Sequence, residues 1–181
     1  GERLVEIAHQ RDVGTDHFLY RADRGEIVGM TGLLGAGQNE VARALFGVQD
    51  GVSGVVRRNG RPVFLGSPRD AIKNGICLLT ENRKREGLFM EMSVKENMTL
   101  PSLGRFLRAV LFVDRADEHK AAGDYIGKMN IVVRSQSAKV RTLSGGNQQK
   151  AILARWLMRD LDVLIFIEPT RGIDVGAKAE I

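Results

Sequence analysis

The chain has 181 residues, 43% of them hydrophobic and 27% charged, and a formal net charge of +5. That length and balance predict one soluble α/β domain with a sizeable core; the longest apolar runs, such as Asp162–Ile167, are too short to cross a bilayer, and the N-terminal GERLVEIAHQ lacks the apolar centre of a signal peptide. The basic excess gathers only at Arg57-Arg58 and Arg83-Lys84-Arg85, with 6% aromatic residues and no long basic run, which gives nucleic-acid binding little support.

In chain order, LVEIA (Leu4–Ala8) and FLYRA (Phe18–Ala22) read as short strands. EIVGMTG (Glu26–Gly32) is apolar, β-branched and closed by glycine, which predicts a buried strand feeding a loop. That loop is Gly32, Leu33, Leu34, Gly35, Ala36, Gly37, Gln38 and Asn39. It nearly has the phosphate-binding spacing G-x-x-x-x-G-K-[ST], but Gln38 and Asn39 stand where the lysine and the hydroxyl belong. Glycines so placed let backbone N–H groups turn toward a polyphosphate, and the next helix adds the positive end of its dipole. Without the lysine and hydroxyl, the loop by itself also fits a plain strand–turn–helix corner. A helix follows, with Val41, Ala44 and Leu45 at helical spacing and its end near Gly47.

GVVRRNGRPVFL (Gly54–Leu65) predicts a hairpin turning at Asn59-Gly60. SPRDAIKNG carries helix punctuation: Ser67 to cap, Pro68 at the first position, Asp70 in the first turn, Gly75 to stop. ICLL (Ile76–Leu79) reads as a short buried strand, with the lone Cys77 as a small core residue that excludes an internal disulfide and points to a reducing compartment. A polar loop, TENRKREG, comes next, and then a capping box with Ser93 and Glu96 three residues apart. A long amphipathic helix is expected from Asp114 to about Met129. LSGGNQQKAILARWLMRD (Leu143–Asp160) reads as loop, then helix, with Trp156 in the core, and DVLIFI (Asp162–Ile167) as a second apolar strand. Strands joined by helices predict a mainly parallel sheet, with an all-helical stretch between ICLL and LSGG. His9, His17 and His119 show no metal-ligand spacing, and no metal site is read from the sequence.

Two further segments carry chemistry. In Leu143, Ser144, Gly145, Gly146 and Asn147, a serine and two glycines open a helix, which offers N–H donors, a hydroxyl and a positive dipole end. In VLIFIEPTRGIDVGAK (Val163–Lys178), an apolar strand ends in Glu168-Pro169. LSGGN resembles the ABC-ATPase signature LSGGQ. With the phosphate loop before it and the Glu168 strand after it, the chain is similar to an ABC nucleotide-binding domain. TENRKREGLF, MSVKENM, LSGGNQQK and EPTRGIDVGAKAEI together resemble the C-terminal ATPase half of bacterial sugar importers of the ribose, galactose and arabinose type, over essentially the whole of Leu4–Ile181.

The resemblance implies a P-loop NTPase-like ABC ATPase core, a mainly parallel sheet with an antiparallel β edge, and an inserted helical subdomain. One domain would fill 1–181, with its core roughly at 1–81 and 143–181 and the helical subdomain at 82–142, short of the family's C-terminal segment. Such domains pair head to tail, fused in one polypeptide or as two chains. Each nucleotide lies between the phosphate loop of one half and the signature of the other. ATP with Mg²⁺ is the implied cofactor, weak or absent at this domain's own site. Gln38 replaces the lysine, Asn39 the hydroxyl, and Ile167 the Mg²⁺-linked aspartate. Asp162 cannot substitute for that aspartate, because six residues of strand place it roughly 20 Å from Glu168. Glu168 is the implied catalytic carboxylate, impaired without its metal, and Glu81 falls at the loop position that senses the γ-phosphate. Ser144 and Gly146 would meet the γ-phosphate held by the partner half, and Asp174 would lie in the loop between halves. Losing one hydrogen bond to a charged group costs about 1.5–3 kcal/mol, so affinity would fall by about tenfold to a hundredfold, and hydrolysis further.

Membrane permease subunits are the implied partners, with Arg83-Lys84-Arg85-Glu86 either a solvated loop or a docking point. A periplasmic sugar-binding protein takes part indirectly, and no nucleic acid does. The implied place is the cytoplasmic face of the bacterial inner membrane. A regulatory or nucleic-acid-associated ATPase domain is the alternative.

Overall fold

The computed structural model describes residues 3–10, 17–33, 35–49, 54–108 and 112–181. It divides into two compact units, Gly1–Leu78 with Asp162–Ile165, and Leu79–Leu161 with Phe166–Ile181.

In the first unit, four strands form an antiparallel sheet: β1 (Arg3–Gln10), β2 (His17–Asp23), β3 (Gly54–Arg58) and β4 (Arg61–Val63), in the order β2-β1-β3-β4. Ile7 lies opposite Tyr20 on one side and Val56 on the other. The predicted hairpin forms between β3 and β4. Asn59 and Gly60 take φ of 50° and 75°; positive φ at both central residues matches the twist of the flanking strands. Helix α1 (Gln38–Leu45) buries Ala42 and Leu45. Helix α2 (Pro68–Lys73) starts as its punctuation predicts. Ser67 Oγ accepts from the Asp70 N–H at 3.3 Å, and its hydroxyl donates to Asp70 Oδ2 at 2.6 Å.

Strand β5 (Ile76–Leu79) is buried throughout and pairs with β8 (Val163–Phe166). The Gly75 carbonyl accepts from the Asp162 and Val163 N–H groups, and the Leu79 carbonyl from Ile167, so the strands run parallel. Among the described residues this pair is the parallel part of the molecule; the larger sheet is antiparallel. Strand β8 is only half-buried, not the fully covered strand its composition predicts. Asp162 is an ion-pair partner of Arg58 and lies 4.0 Å from Arg24.

The expected buried strand at Glu26–Gly32 does not form. Among the described residues no strand pairs with the run, and Ile27 is 98% exposed. β-propensity measures how a side chain fits a pleated, half-buried surface, not a backbone preference. An apolar, β-branched run without ladder partners therefore stays unpaired.

The second unit is built around α5 (Gly145–Leu157), buried at every residue from Gln148 to Trp156. Against it lie α3 (Val94–Thr99) and α4 (Arg115–Lys128), which contribute Val94, Met98 and Ala122 to the core. Full burial of a side chain the size of Val94 or Met98 stabilises by about 1.5–3 kcal/mol, and that of a methyl such as Ala122 by less. The capping box on α3 is complete: Glu96 N–H donates to Ser93 Oγ at 3.1 Å, and Ser93 N–H donates to Glu96 Oε2 at 2.8 Å. Asp114 caps α4. The Lys95 ammonium and the Thr99 hydroxyl both donate to the buried Glu118, each at 2.7 Å, and tie α3 to α4.

Arg155 is a buried cation. Its guanidinium donates to the Asn97 carbonyl, Asn97 Oδ1 and the Gly87 carbonyl. Burial pushes its pKa down to about 10, so it stays charged at neutral pH and fastens residues 87–97 to α5. Two expectations need correction in this unit. TENRKREG is not a loop throughout: Arg83–Gly87 forms one π-helical turn, started by Asn82, whose side chain accepts from Arg85 N–H. The all-helical stretch contains a two-strand hairpin, β6 (Leu107–Arg108) with β7 (Phe112–Val113). The chain closes with the short helix α6 (Val175–Lys178).

Candidate functional site

The candidate residues fall into two groups, one in each unit. In the first unit, Gly32–Asn39 leads into α1, with Leu34 outside the described residues. Gly35 and Gly37 take φ of 83° and 96°, a left-handed backbone that glycine adopts without steric cost. Gly37 is the residue that starts α1, and no side chain caps the helix. The first N–H groups of the helix therefore keep the unmet donor capacity that favours anions. Gln38 turns back over the loop, with Nε2 3.5 Å from the Leu33 carbonyl oxygen. It brings a dipole but no charge. Glu40 adds a negative charge in the first turn of α1, opposed to a bound phosphate.

In the second unit, Glu81, Glu168, Ser144–Asn147 and Asp174 share one neighbourhood through two arginines that cross. Arg83 donates to the carbonyls of Arg171 (2.9 Å) and Gly172 (3.0 Å), and to Gln148 Oε1 on α5 (3.3 Å). Arg171 reaches the other way, with Nη1 2.5 Å from Glu81 Oε2 and 3.5 Å from Glu168 Oε2. The segment after β5 thus holds the backbone after β8, and the segment after β8 holds a side chain after β5.

Glu168 takes φ of 44°, rare for a residue with a Cβ. Such a conformation costs about 1–3 kcal/mol and persists where the surroundings impose it. Ile167 is 4% exposed, and its N–H is spent on the Leu79 carbonyl. Gln38, Asn39 and Ile167 offer a Mg²⁺ ion neither a hydroxyl nor a carboxylate, whereas the uncapped backbone donors at the head of α1 suit phosphate oxygens.

The signature segment is tightly seated. Ser144 is the exposed cap of α5, and the Leu143 carbonyl accepts from Gln148 Nε2 at 3.1 Å. A Cβ on Gly146 would lie 2.7 Å from Ala177 Cβ, and one on Gly145 would lie 2.7 Å from Arg83 Nη2 and 3.2 Å from the Gly172 carbonyl oxygen. The two glycines let the 172–177 segment approach the start of α5. Asp174 caps α6, its Oδ1 accepting from Ala177 N–H at 2.9 Å.

The sequence motifs name Glu81, Glu168, Asp174 and Leu143–Asn147 as candidates and give Arg171 no role, and Arg83 reads there as solvated or docking. Arg83 is in fact a bonded anchor, while Lys84, Arg85 and Glu86 stand exposed. The opposite charges of Glu168 and Arg171, three residues apart, are the one local signal of this arrangement.

The family model described as ABC transporter matches residues 16–171. This chain belongs to the ABC transporter family. It is 52% identical over 158 residues to a ribose/galactose/methyl galactoside import ATP-binding protein of Albidiferax ferrireducens, which covers 87% of this chain and 31% of that protein. It is 49% identical over 158 residues to the ribose import ATP-binding protein RbsA of Clostridium perfringens, 87% of this chain and 32% of that one. The chain thus spans about a third of the length of these curated relatives. Among solved structures, a nucleotide-free ATP-binding cassette from an ABC transporter aligns with a TM-score of 0.77, at 16% identity, over 98% of this chain and 74% of that one. The ABC cassette fold expected from the three motifs is therefore shown. Among the described residues no helix is long and apolar enough to cross a membrane.

Proposed function

We propose that this chain is an ATP-binding domain of a bacterial sugar ABC importer that acts mainly through its signature, on a nucleotide held by a second ATPase half. One observation carries the reading: the signature serine stands exposed at the head of a firmly packed 13-residue helix, whereas Gln38, Asn39 and Ile167 leave the domain's own site without its cation and metal handles. The relatives' names support the transport of a carbohydrate.

In this reading the domain fills 1–181, with a nucleotide core near 1–81 and 143–181 and a helical subdomain near 82–142. The phosphate loop offers backbone donors to phosphate, weakly, because no lysine joins them. When bound, Mg²⁺ would supply charge neutralisation to the phosphates, and nothing replaces Ile167 to organise it. Glu168 is held beside Arg171 and Glu81, and does not sustain turnover. Ser144 donates its hydroxyl to the partner's nucleotide, Gly146 lets the backbone come close, and Asp174 lies in the segment that crosses between halves. The permease docks on the helical subdomain, on the cytoplasmic face of the membrane, and the periplasmic sugar-binding protein takes part through the permease.

The test uses the full-length protein with its permease. Ser144→Arg places a bulky cation at the signature and is expected to abolish transport ATPase, while Glu168→Gln leaves most of it. Loss with Glu168→Gln and survival with Ser144→Arg would reverse the assignment.

A further inference from the structure

The fifth signature residue, Asn147, does not point outward. Its side-chain Oδ1 accepts from the Val132 backbone N–H at 2.8 Å, and its Nδ2 donates to Ser144 Oγ at 2.9 Å. Because a backbone N–H can only donate, the Val132 bond decides which end of the amide is oxygen. The NH₂ end must therefore face Ser144. The backbone N–H of Asn147 also points at Ser144 Oγ, at 3.4 Å.

The position of Val132 is itself fixed. One helical turn along α5, the buried Lys150 donates to the Asn130 carbonyl at 3.1 Å and to Glu180 at 2.7 Å. The next residue, Ile131, is buried at 5% exposure. The 130–132 segment is thus pinned to the same face of α5 at two points, and the amide has no room to reverse.

A serine hydroxyl has two acceptor lone pairs and one proton. Here Ser144 Oγ accepts from two donors of Asn147, the side-chain NH₂ at 2.9 Å and the backbone N–H at 3.4 Å. What Ser144 has left to offer is its O–H, and the side chain is exposed. We infer that Asn147 is a positioning residue: its polarity, set by Val132, makes Ser144 a donor only and aims that donor at an anionic ligand outside the helix. The inference rests on the proposed role of Ser144 as a donor to a terminal phosphate on the partner half.

The experiment is equilibrium binding to the full-length protein of two probes, a non-hydrolysable ATP analogue and ADP, which lacks the terminal phosphate. Asn147→Ala is expected to weaken the analogue by about threefold to tenfold, the worth of one oriented hydrogen bond, and to leave ADP unchanged. Asn147→Asp keeps the shape and the Val132 bond but presents an acceptor to Ser144, so the hydroxyl turns inward; a larger loss is expected, again for the analogue alone. In a Ser144→Ala background, Asn147→Ala is expected to add nothing, since no hydroxyl remains to orient. A merely structural role would weaken both probes and lower the melting temperature in parallel. If Ser144→Ala weakens the analogue but Asn147→Ala and Asn147→Asp do not, or if the losses add, the inference is overturned while the proposed function stands. If Ser144→Ala itself leaves the analogue unaffected, the proposed function falls and the inference falls with it.

Discussion

At the scale of single residues, the site is governed by how little room its backbones leave. Gly146 stands where a methyl group would strike Ala177 Cβ at 2.7 Å, and Ala177 has no rotamer through which to yield. Gly146→Ala is therefore expected to destabilise the protein by about 1–3 kcal/mol through overpacking, visible as a lower melting temperature. Gly145→Ala meets the end of the Arg83 side chain at 2.7 Å and the Gly172 carbonyl oxygen at 3.2 Å, and a smaller loss is expected from the same measurement, because a side-chain end yields more readily than Ala177. An equal or larger loss for Gly145→Ala would mean that the Arg83 anchor or the Gly172 carbonyl does not yield. Charge is the other control at this scale. Arg171 stands beside Glu81 and Glu168 as a resident cation. Since Arg171 is 59% exposed and Glu81 29%, their pair is worth about 0–1 kcal/mol to stability. Its consequence is where it places Glu81 and the backbone after β8, not how much it stabilises the fold.

At the scale of elements, the caps set where helices begin, and one of them makes stability depend on pH. The Ser93 hydroxyl, and then the Ser93 N–H, hold the Glu96 carboxyl below its ordinary 4.5. A depressed carboxyl contributes stability that is present above the unfolded-state value and is lost as pH falls through the folded one. Ser93→Ala removes the cap and the larger cause of the shift, and keeps the backbone N–H donor to Glu96. The expected cost is about 0.5–2 kcal/mol near neutral pH, and the gap between variant and parent narrows as pH falls below about 4.5. Denaturant unfolding at pH 7 and pH 3.5 checks it; a gap that widens in acid would contradict the assignment. The same elements show what a sequence discloses. Caps and turns at Ser67-Pro68, Ser93-Glu96, Asn59-Gly60 and Ser144 were legible because their chemistry is local, within three or four residues. The unpaired run Glu26–Gly32 was misread because a strand is made by neighbours distant in sequence. Arg83 meets Arg171 and Gly172 across 88 and 89 residues, a span no short motif encodes.

At the scale of the whole molecule, the proposed function sets a loss against a retention: Gln38, Asn39 and Ile167 in place of the lysine, hydroxyl and aspartate that the resemblance leads one to expect, against Ser144, Gly145 and Gly146 at the head of the buried helix α5. The asymmetry we propose is one productive nucleotide site for each head-to-tail pair, completed by Ser144 from this side. The most direct measurement is the amount of nucleotide trapped by vanadate under turnover in the full-length protein with its permease. One trapped nucleotide per pair of halves is predicted, lost on Ser144→Arg and retained on Glu168→Gln. Two trapped nucleotides per pair, one of them lost on Glu168→Gln, would contradict it.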